Sequence, residues 1–274
     1  MNKLREINSQ FTLNFGKALH VTIIMLICIF IVNLFVNLPS LFFPSLYPFT
    51  SPLALFFGGI LAVYSVTLFL GITWETIKSH LFNSPKFIVT IACVWLYFFG
   101  LSVAEFLVSL FPRDLTPYFE QMYKNSTKFF EKAISNQVSG FLSICILAPI
   151  VEEILFRGIL LRGLLQNVKI KPIYAILFTS LIFGVAHVNP WQLLGAGTLG
   201  IVFGFVYYRT KSLWLCIFLH VLNNATSFYM VVKNQTMEQS VTNPTNYLWI
   251  GLSFILAILV GWFIYKQTPN IKWN

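Results

Sequence analysis

Few residues in this sequence could do chemistry, and they are concentrated in its second half. In the stretch Ala148-Pro-Ile-Val-Glu-Glu-Ile-Leu-Phe-Arg157, two adjacent carboxylates and an arginine interrupt an otherwise apolar run. An ionised carboxylate is so costly in hydrocarbon that a Glu in such a run calls for a partner or a function. Residues four apart on a helix share a face, so Glu153 and Arg157 can pair. Glu152 is rotated from them by about 100° and stays available. Pro149 removes one helical hydrogen bond just before the pair, which favours a kink or entry of water. The next apolar run ends in His187 and Asn189, with Phe183 four residues before the imidazole and Gly184 three before it. A later run carries His220, Asn223 and Asn224, and His220 and Asn224 again share a face.

A carboxylate, two imidazoles and an amide from three different segments are the parts needed to hydrolyse an amide. A Glu with a His can deprotonate water, and a second His with an Asn can donate to the oxyanion that forms on the attacked carbonyl. Both steps require a water-containing cavity within the membrane. Two other readings of the same residues stand beside this one. Glu152, His187 and His220 are acceptable zinc ligands, and although no His-Glu-x-x-His is present, convergence in the fold would permit a zinc-activated water. Alternatively, Glu152, Glu153 and Arg157 form a packing network, and His220 and Asn224 make ordinary interhelical hydrogen bonds.

The elements that must position these groups are membrane helices. With 57% hydrophobic and 10% charged residues and a mean hydropathy of +0.76, the 274-residue chain falls outside the soluble range. A span needs about 20 apolar residues. Eight candidates result: Ala18 to Leu38, Leu53 to Ile72, Phe87 to Phe111, Ser139 to Leu161, Ile173 to Val188, Gln192 to Tyr208, Leu213 to Val232 and Tyr247 to Tyr265. With the N-terminus inside, only Arg113, Lys124, Lys128, Lys132 and Lys233 of the 18 basic residues fall outside. The positive-inside rule therefore supports eight spans with both termini cytoplasmic. The net charge of +9 reads as membrane orientation, with the bilayer as partner and no nucleic acid.

The expected fold is all-α, a polytopic membrane helix bundle forming a single domain over residues 1–274. Residues 139–232 would be the catalytic core, 1–138 accessory spans and 247–265 a last span. No repeat or flexible linker divides it, and the polar segment Met1 to Lys17 leads into a full span without a signal-cleavage pattern. Pro39 to Pro52, with four prolines and no charge, reads as a structured or interfacial connection rather than a helix. Between Phe111 and Ser139, Tyr118, Phe119, Met122, Tyr123, Phe129 and Phe130 with interspersed charges suit either a short amphipathic helix at the outer surface or a solvated loop. Glu105 reads as a carboxylate reaching the interface near Arg113, or as a cavity-lining group. The four cysteines fall in apolar runs and read as small buried hydrophobes.

In this order and at these separations, Glu152-Glu153-x-x-x-Arg157, Phe183-x-x-x-His187 and His220-x-x-x-Asn224 resemble the three signature motifs of the CPBP family of intramembrane proteases. That family includes the type II CAAX prenyl endopeptidases and the bacterial Abi, or "CAAX protease self-immunity", proteins. The resemblance covers about residues 139–232. It implies that Glu152 with His187 activates water, that His220 with Asn224 forms the oxyanion hole, and that Glu153, Arg157 and Phe183 are supporting residues. It also implies a glutamate-type reaction without a metal cofactor, zinc being the family's older assignment. The intact motifs imply a member that has kept catalysis, and the expected location is the cytoplasmic membrane of a prokaryote. Its substrate would be a membrane-associated protein or peptide, of which a prenylated CAAX protein is one kind.

The span centres raise a difficulty of depth. Glu152 and His220 fall near the midplane, whereas His187 lies roughly 9 Å towards the outside at 1.5 Å per residue. Only 36 residues separate Pro172 from Tyr208, a rise of about 54 Å, short for two crossings of a ~30 Å core. The turn at Asn189-Pro190 is therefore expected to be recessed, with Gly195, Gly197, Gly200 and Gly204 giving the second helix a smooth face. The leading reading is an intramembrane endopeptidase. Its alternatives are a non-catalytic binding, immunity or regulatory protein using the same polar pocket, and a transporter with Glu152 as proton relay, for which inverted repeats are not visible.

Overall fold

The structure is a computed structural model that describes residues 11–234, 246–269 and 272–273. Every regular element among them is helical. In chain order these are α1 (Phe15–Asn37), α2 (Tyr47–Leu70), α3 (Trp74–Leu81), α4 (Phe87–Ser109), α5 (Pro117–Ile134), α6 (the continuous run 137–165), α7 (Pro172–Val185), α8 (Pro190–Thr210), α9 (Leu213–Asn234) and α10 (Tyr247–Gln267).

Among the described residues, six helices are long and apolar enough to cross a membrane: α1, α2 with the turn before it, α4, α8, α9 and α10. The expected number was eight, and the other two stretches are helical but differ in kind. The run α6 carries the charged residues and is broken by two π-helical stretches, Phe141–Leu147 and Ile154–Leu161. Helix α7 has 14 residues, a rise of about 21 Å, too short for a ~30 Å core. A helix of this length leaves at least one of its ends short of such a core.

The proline-rich segment departs from expectation by being mostly helical. Pro39–Phe42 and Pro44–Leu46 form short turns, and α2 starts at Tyr47 with Pro52 inside it. Pro39, Pro44 and Pro48 each occupy a first turn, where the missing N–H would have had no partner anyway. Ser40, Thr50 and Asn37 close the segment: the Thr50 hydroxyl donates to Asn37 Oδ1 at 2.7 Å and lies 2.8 Å from Ser40 Oγ. The amphipathic helix α5 does form, although the side chains of Phe129 and Phe130 lie outside the described residues. Glu105 is exposed on α4, and Arg113 lies over the Tyr123 ring at 4.7 Å instead of pairing with it. Cys93, Cys145 and Cys216 are buried and Cys28 is half-buried, all four as free thiols.

The core gathers around the second half of α6. Leu155, Phe156, Ile159, Leu160, Leu161 and Leu164 are all buried, against Phe183, Phe203, Tyr207, Leu213 and Leu219 from α7, α8 and α9. Helix α1 packs on α2 and α10 on α4, so the lipid-facing sides of these helices carry residues such as Phe30, Phe35, Ile258 and Trp262. Small residues bring α7 and α8 together. A Cβ at Gly184 would stand 2.6 Å from the Leu193 carbonyl oxygen, and one at Gly200 or Gly204 would meet Ser180 or Ile176 at 3.1 Å. The hairpin that carries Phe183 and His187 is therefore held at backbone distance from α8.

At one end of the bundle the short helix α3 closes over the core. Arg162 donates to the Thr76 carbonyl and to Ser79 Oγ, and His80 Nδ1 lies 2.9 Å from the Tyr207 hydroxyl beside Trp273. Burial first, then the charges of Arg162 and Lys211, push the His80 imidazole from 6.5 down to about 3. Below pH 6.5 the unfolded chain binds a proton that the folded chain refuses until about pH 3. The contribution of His80 to stability is therefore full above that range and declines as pH falls through it. The thermal midpoint in detergent should drop more steeply from pH 7 to pH 5 in the wild type than in His80→Phe. Equal slopes would show that His80 is freely protonated in the fold.

Candidate active site

Glu152 and Glu153 sit on the single regular turn, Ala148–Glu153, between the two π-helical stretches. Such stretches widen the helix and leave carbonyls without their usual partners. One of these, the Ile144 carbonyl, accepts from Asn224 Nδ2 at 2.8 Å, which ties α9 to α6. Asn223 in turn donates to Asn224 Oδ1 at 3.1 Å. On the other side of α6, Val151 fills the notch left by Gly59 of α2.

Helical spacing pairs Glu153 with Arg157, and the structure contains that pair. Arg157 Nη1 donates to Glu153 Oε1 at 2.8 Å, with both side chains essentially removed from solvent. The guanidinium also donates through Nη2 to the Gly200 carbonyl at 3.3 Å and lies over the rings of Phe183 at 4.6 Å and Phe203 at 5.4 Å. Glu153 has a second partner: His220 Nδ1 donates to the same Oε1 at 2.8 Å. Spacing along one helix cannot report this bond, because it comes from α9. Phe203, which packs on both Arg157 and His220, was likewise not singled out from the sequence, where one Phe among 29 carries no signal.

With Nδ1 committed to Glu153, the other nitrogen of His220 faces Glu152. Nε2 lies 3.8 Å from Glu152 Oε2, too far for a hydrogen bond. That oxygen is buried and has no hydrogen-bond partner, although the Glu152 side chain as a whole is 27% exposed. A buried carboxylate oxygen without a donor is an unfavourable state that a ligand's proton would relieve.

His187 follows the last turn of α7. Its Nδ1 lies 2.8 Å from the Phe183 carbonyl oxygen, and since a carbonyl only accepts, the proton is on Nδ1 and Nε2 presents a lone pair. The ring packs edge-on against Phe183, which also touches His220 and Phe156. Both imidazoles and the Arg157 guanidinium thus share one aromatic ring. Among the described residues, no hydrogen bond or ion pair joins His187 directly to Glu152, or Asn224 to His220. The structure brings Glu152, Glu153, Arg157, Phe183 and His220 into one cluster, with His187 reaching it through Phe183 and Asn224 through α6. Among the described residues, no three His, Cys, Asp or Glu side chains converge in a way that would hold a metal ion.

Residues 134–226 match the family model described as "Type II CAAX prenyl endopeptidase Rce1-like". They contain all of these side chains. Over this segment, 93 of the 274 residues, the chain resembles that family. The "Putative membrane peptidase YdiL" of Bacillus subtilis (strain 168) is 28% identical over 172 residues, which are 60% of this chain and 67% of the relative. The "Membrane-embedded CAAX protease MroQ" of Staphylococcus aureus (strain USA300) is 27% identical over 136 residues, 47% of this chain and 54% of the relative. An "Uncharacterized 24.3 kDa protein" of Escherichia coli is 35% identical over 99 residues, 35% of this chain and 46% of the relative. The match thus spans about half the length of the second and third. No solved structure matches the chain. With six helices among its described residues long and apolar enough to cross a membrane, it is an integral membrane protein, and its residues 134–226 resemble a family of membrane proteases.

Proposed function

We propose that the protein is an intramembrane endopeptidase that hydrolyses a peptide bond of a membrane-associated substrate, with Glu152 as the water-activating base. The observation that carries this reading is the unpartnered, buried Oε2 of Glu152 beside His220 Nε2. A water held between Glu152 and the free Nε2 of His187 would lose its proton to the carboxylate as its oxygen attacks the scissile carbonyl. The oxyanion would accept hydrogen bonds from His220 Nε2 and from the Asn224 amide hydrogen that is not donated to Ile144. A proton on Nε2 makes His220 a cation, and the Glu153 carboxylate 2.8 Å from Nδ1 balances that charge. Proton return from Glu152 to the leaving amine completes the cycle, so acid and base are regenerated without a metal.

The family points to a prenylated cysteine near the substrate's C-terminus, and the lipid-facing bundle suits a substrate anchored by a prenyl chain. The test uses purified protein in lipid nanodiscs with a quenched fluorogenic peptide ending in a farnesylated Cys-aliphatic-aliphatic-X sequence. Release of the last three residues is expected, and the unprenylated peptide should be cut more slowly. Absence of cleavage of either peptide, together with identical membrane-protein termini in cells with and without the protein, would sink the protease reading in favour of a binding or immunity role.

A further inference from the structure

The turn that presents His187 is strained and is held from outside the family-matched segment. Val188, the residue after the imidazole, has φ +52° and is 85% exposed. A β-branched residue in the left-handed region is sterically strained, and burial of this side chain returns nothing. Such a conformation persists only where its surroundings over-determine it. On one flank His187 is fixed to the Phe183 carbonyl. On the other, Asn189 uses its whole amide group: Oδ1 accepts from the N–H groups of Trp191 at 3.0 Å and Gln192 at 3.2 Å, and Nδ2 donates to Ser126 Oγ of α5 at 2.9 Å. The first two bonds cap α8, a task that Ser or Thr performs as well. The third is the one that uses the amide's donor. Next to it, the Trp191 indole donates to the Phe111 carbonyl at 3.2 Å and packs edge-on against Tyr123 of α5 at 5.0 Å.

We propose that Asn189 is a positioning residue for His187, anchored by Ser126, so that the amphipathic helix α5 sets the depth and aim of the imidazole. The inference rests on the reading of His187 as the partner of Glu152. Helix α5 lies almost wholly before residue 134, where the family match begins, so the accessory half of the chain contributes to the geometry of the site. Without the Ser126 bond, Val188 can relax towards ordinary backbone angles, and the residue displaced by that relaxation is His187. A shift of about 1 Å in a reacting group can lower turnover by about 100-fold.

Ser126→Ala removes the acceptor and leaves the α8 cap intact, while Asn189→Ser keeps the cap and loses the reach. Each should lower kcat on the farnesylated peptide between about 10- and 100-fold with KM and thermal midpoint little changed. The double variant should be no worse than either single variant, and Ser126→Thr, which keeps the hydroxyl, should retain wild-type kcat. Hydrogen exchange of the peptide covering 183–192 is the second readout and needs no catalysis; it should quicken in Ser126→Ala. Unchanged exchange, or quicker exchange with unchanged kcat, would overturn the positioning role. If the wild type cleaves neither peptide and leaves membrane-protein termini unchanged, the protease reading falls by itself, and the exchange result still decides whether α5 holds the turn.

Discussion

Glu152→Gln is expected to reduce cleavage of the farnesylated peptide by about 10²- to 10⁴-fold, the range for removal of a positioned general base, while the bundle folds as before. The substitution is isosteric, and the oxygen it replaces accepts no hydrogen bond in the structure. The fold therefore loses no bond, and thermal midpoint should stay the same or rise. Of the two glutamates, Glu152 is the one whose side chain makes no hydrogen bond among the described residues, whereas Glu153 leaves only Oε2 without a partner. Glu153 cannot substitute for it, because Oε1 accepts from both Arg157 and His220 and its side chain has no exposure. The two glutamates should therefore separate: Glu152→Gln gives a stable protein without turnover, whereas Glu153→Gln also weakens the fold. Peptide cleavage and thermal unfolding measured on the same preparations check both halves. Full cleavage by a folded Glu152→Gln protein would remove Glu152 from the mechanism.

How far this site could be read from the sequence depends on whether a contact is local. The Glu153–Arg157 pair was legible because both residues lie on one helix, four apart. The shortness of the α7–α8 hairpin was legible from chain length alone, and its close approach from Gly200 and Gly204. The bond from His220 to Glu153 was not, since it depends on how α9 packs on α6. Nor was the binding of Asn224 to Ile144, because the spare carbonyl exists only where α6 adopts π-helical turns, and no propensity rule announces those. Asn189 followed by Pro190 is a recognisable helix start, but its bond to Ser126 spans 63 residues. In the membrane half of the chain, apolar run length indicated where helices stand. It overcounted the long spans by two, because α7 is apolar yet only 14 residues long and the α6 run carries charges and is broken by two π-helical stretches.

The largest loss of stability is expected from Arg157→Ala. The guanidinium is buried with Glu153, and removing one partner of a buried pair leaves an uncompensated charge, at a cost of about 3–5 kcal/mol. It also leaves the Gly200 carbonyl without its donor and opens a void between Phe183 and Phe203. Arg157→Lys should recover little, because a point charge cannot donate to Glu153 and Gly200 at once or present a flat face to the two rings. Arg157→Met combined with Glu153→Met removes both charges and fills much of the volume, and replacing a buried pair by apolar groups is often neutral or stabilising. That double variant should regain most of the lost thermal stability, measured by unfolding in detergent. It should remain inactive on the peptide, because His220 Nδ1 has lost the carboxylate that orients the ring. Recovery of both stability and cleavage in the double variant would show that the buried ion cluster is dispensable scaffolding. Recovery of stability alone would assign Glu153 and Arg157 to the orientation of His220.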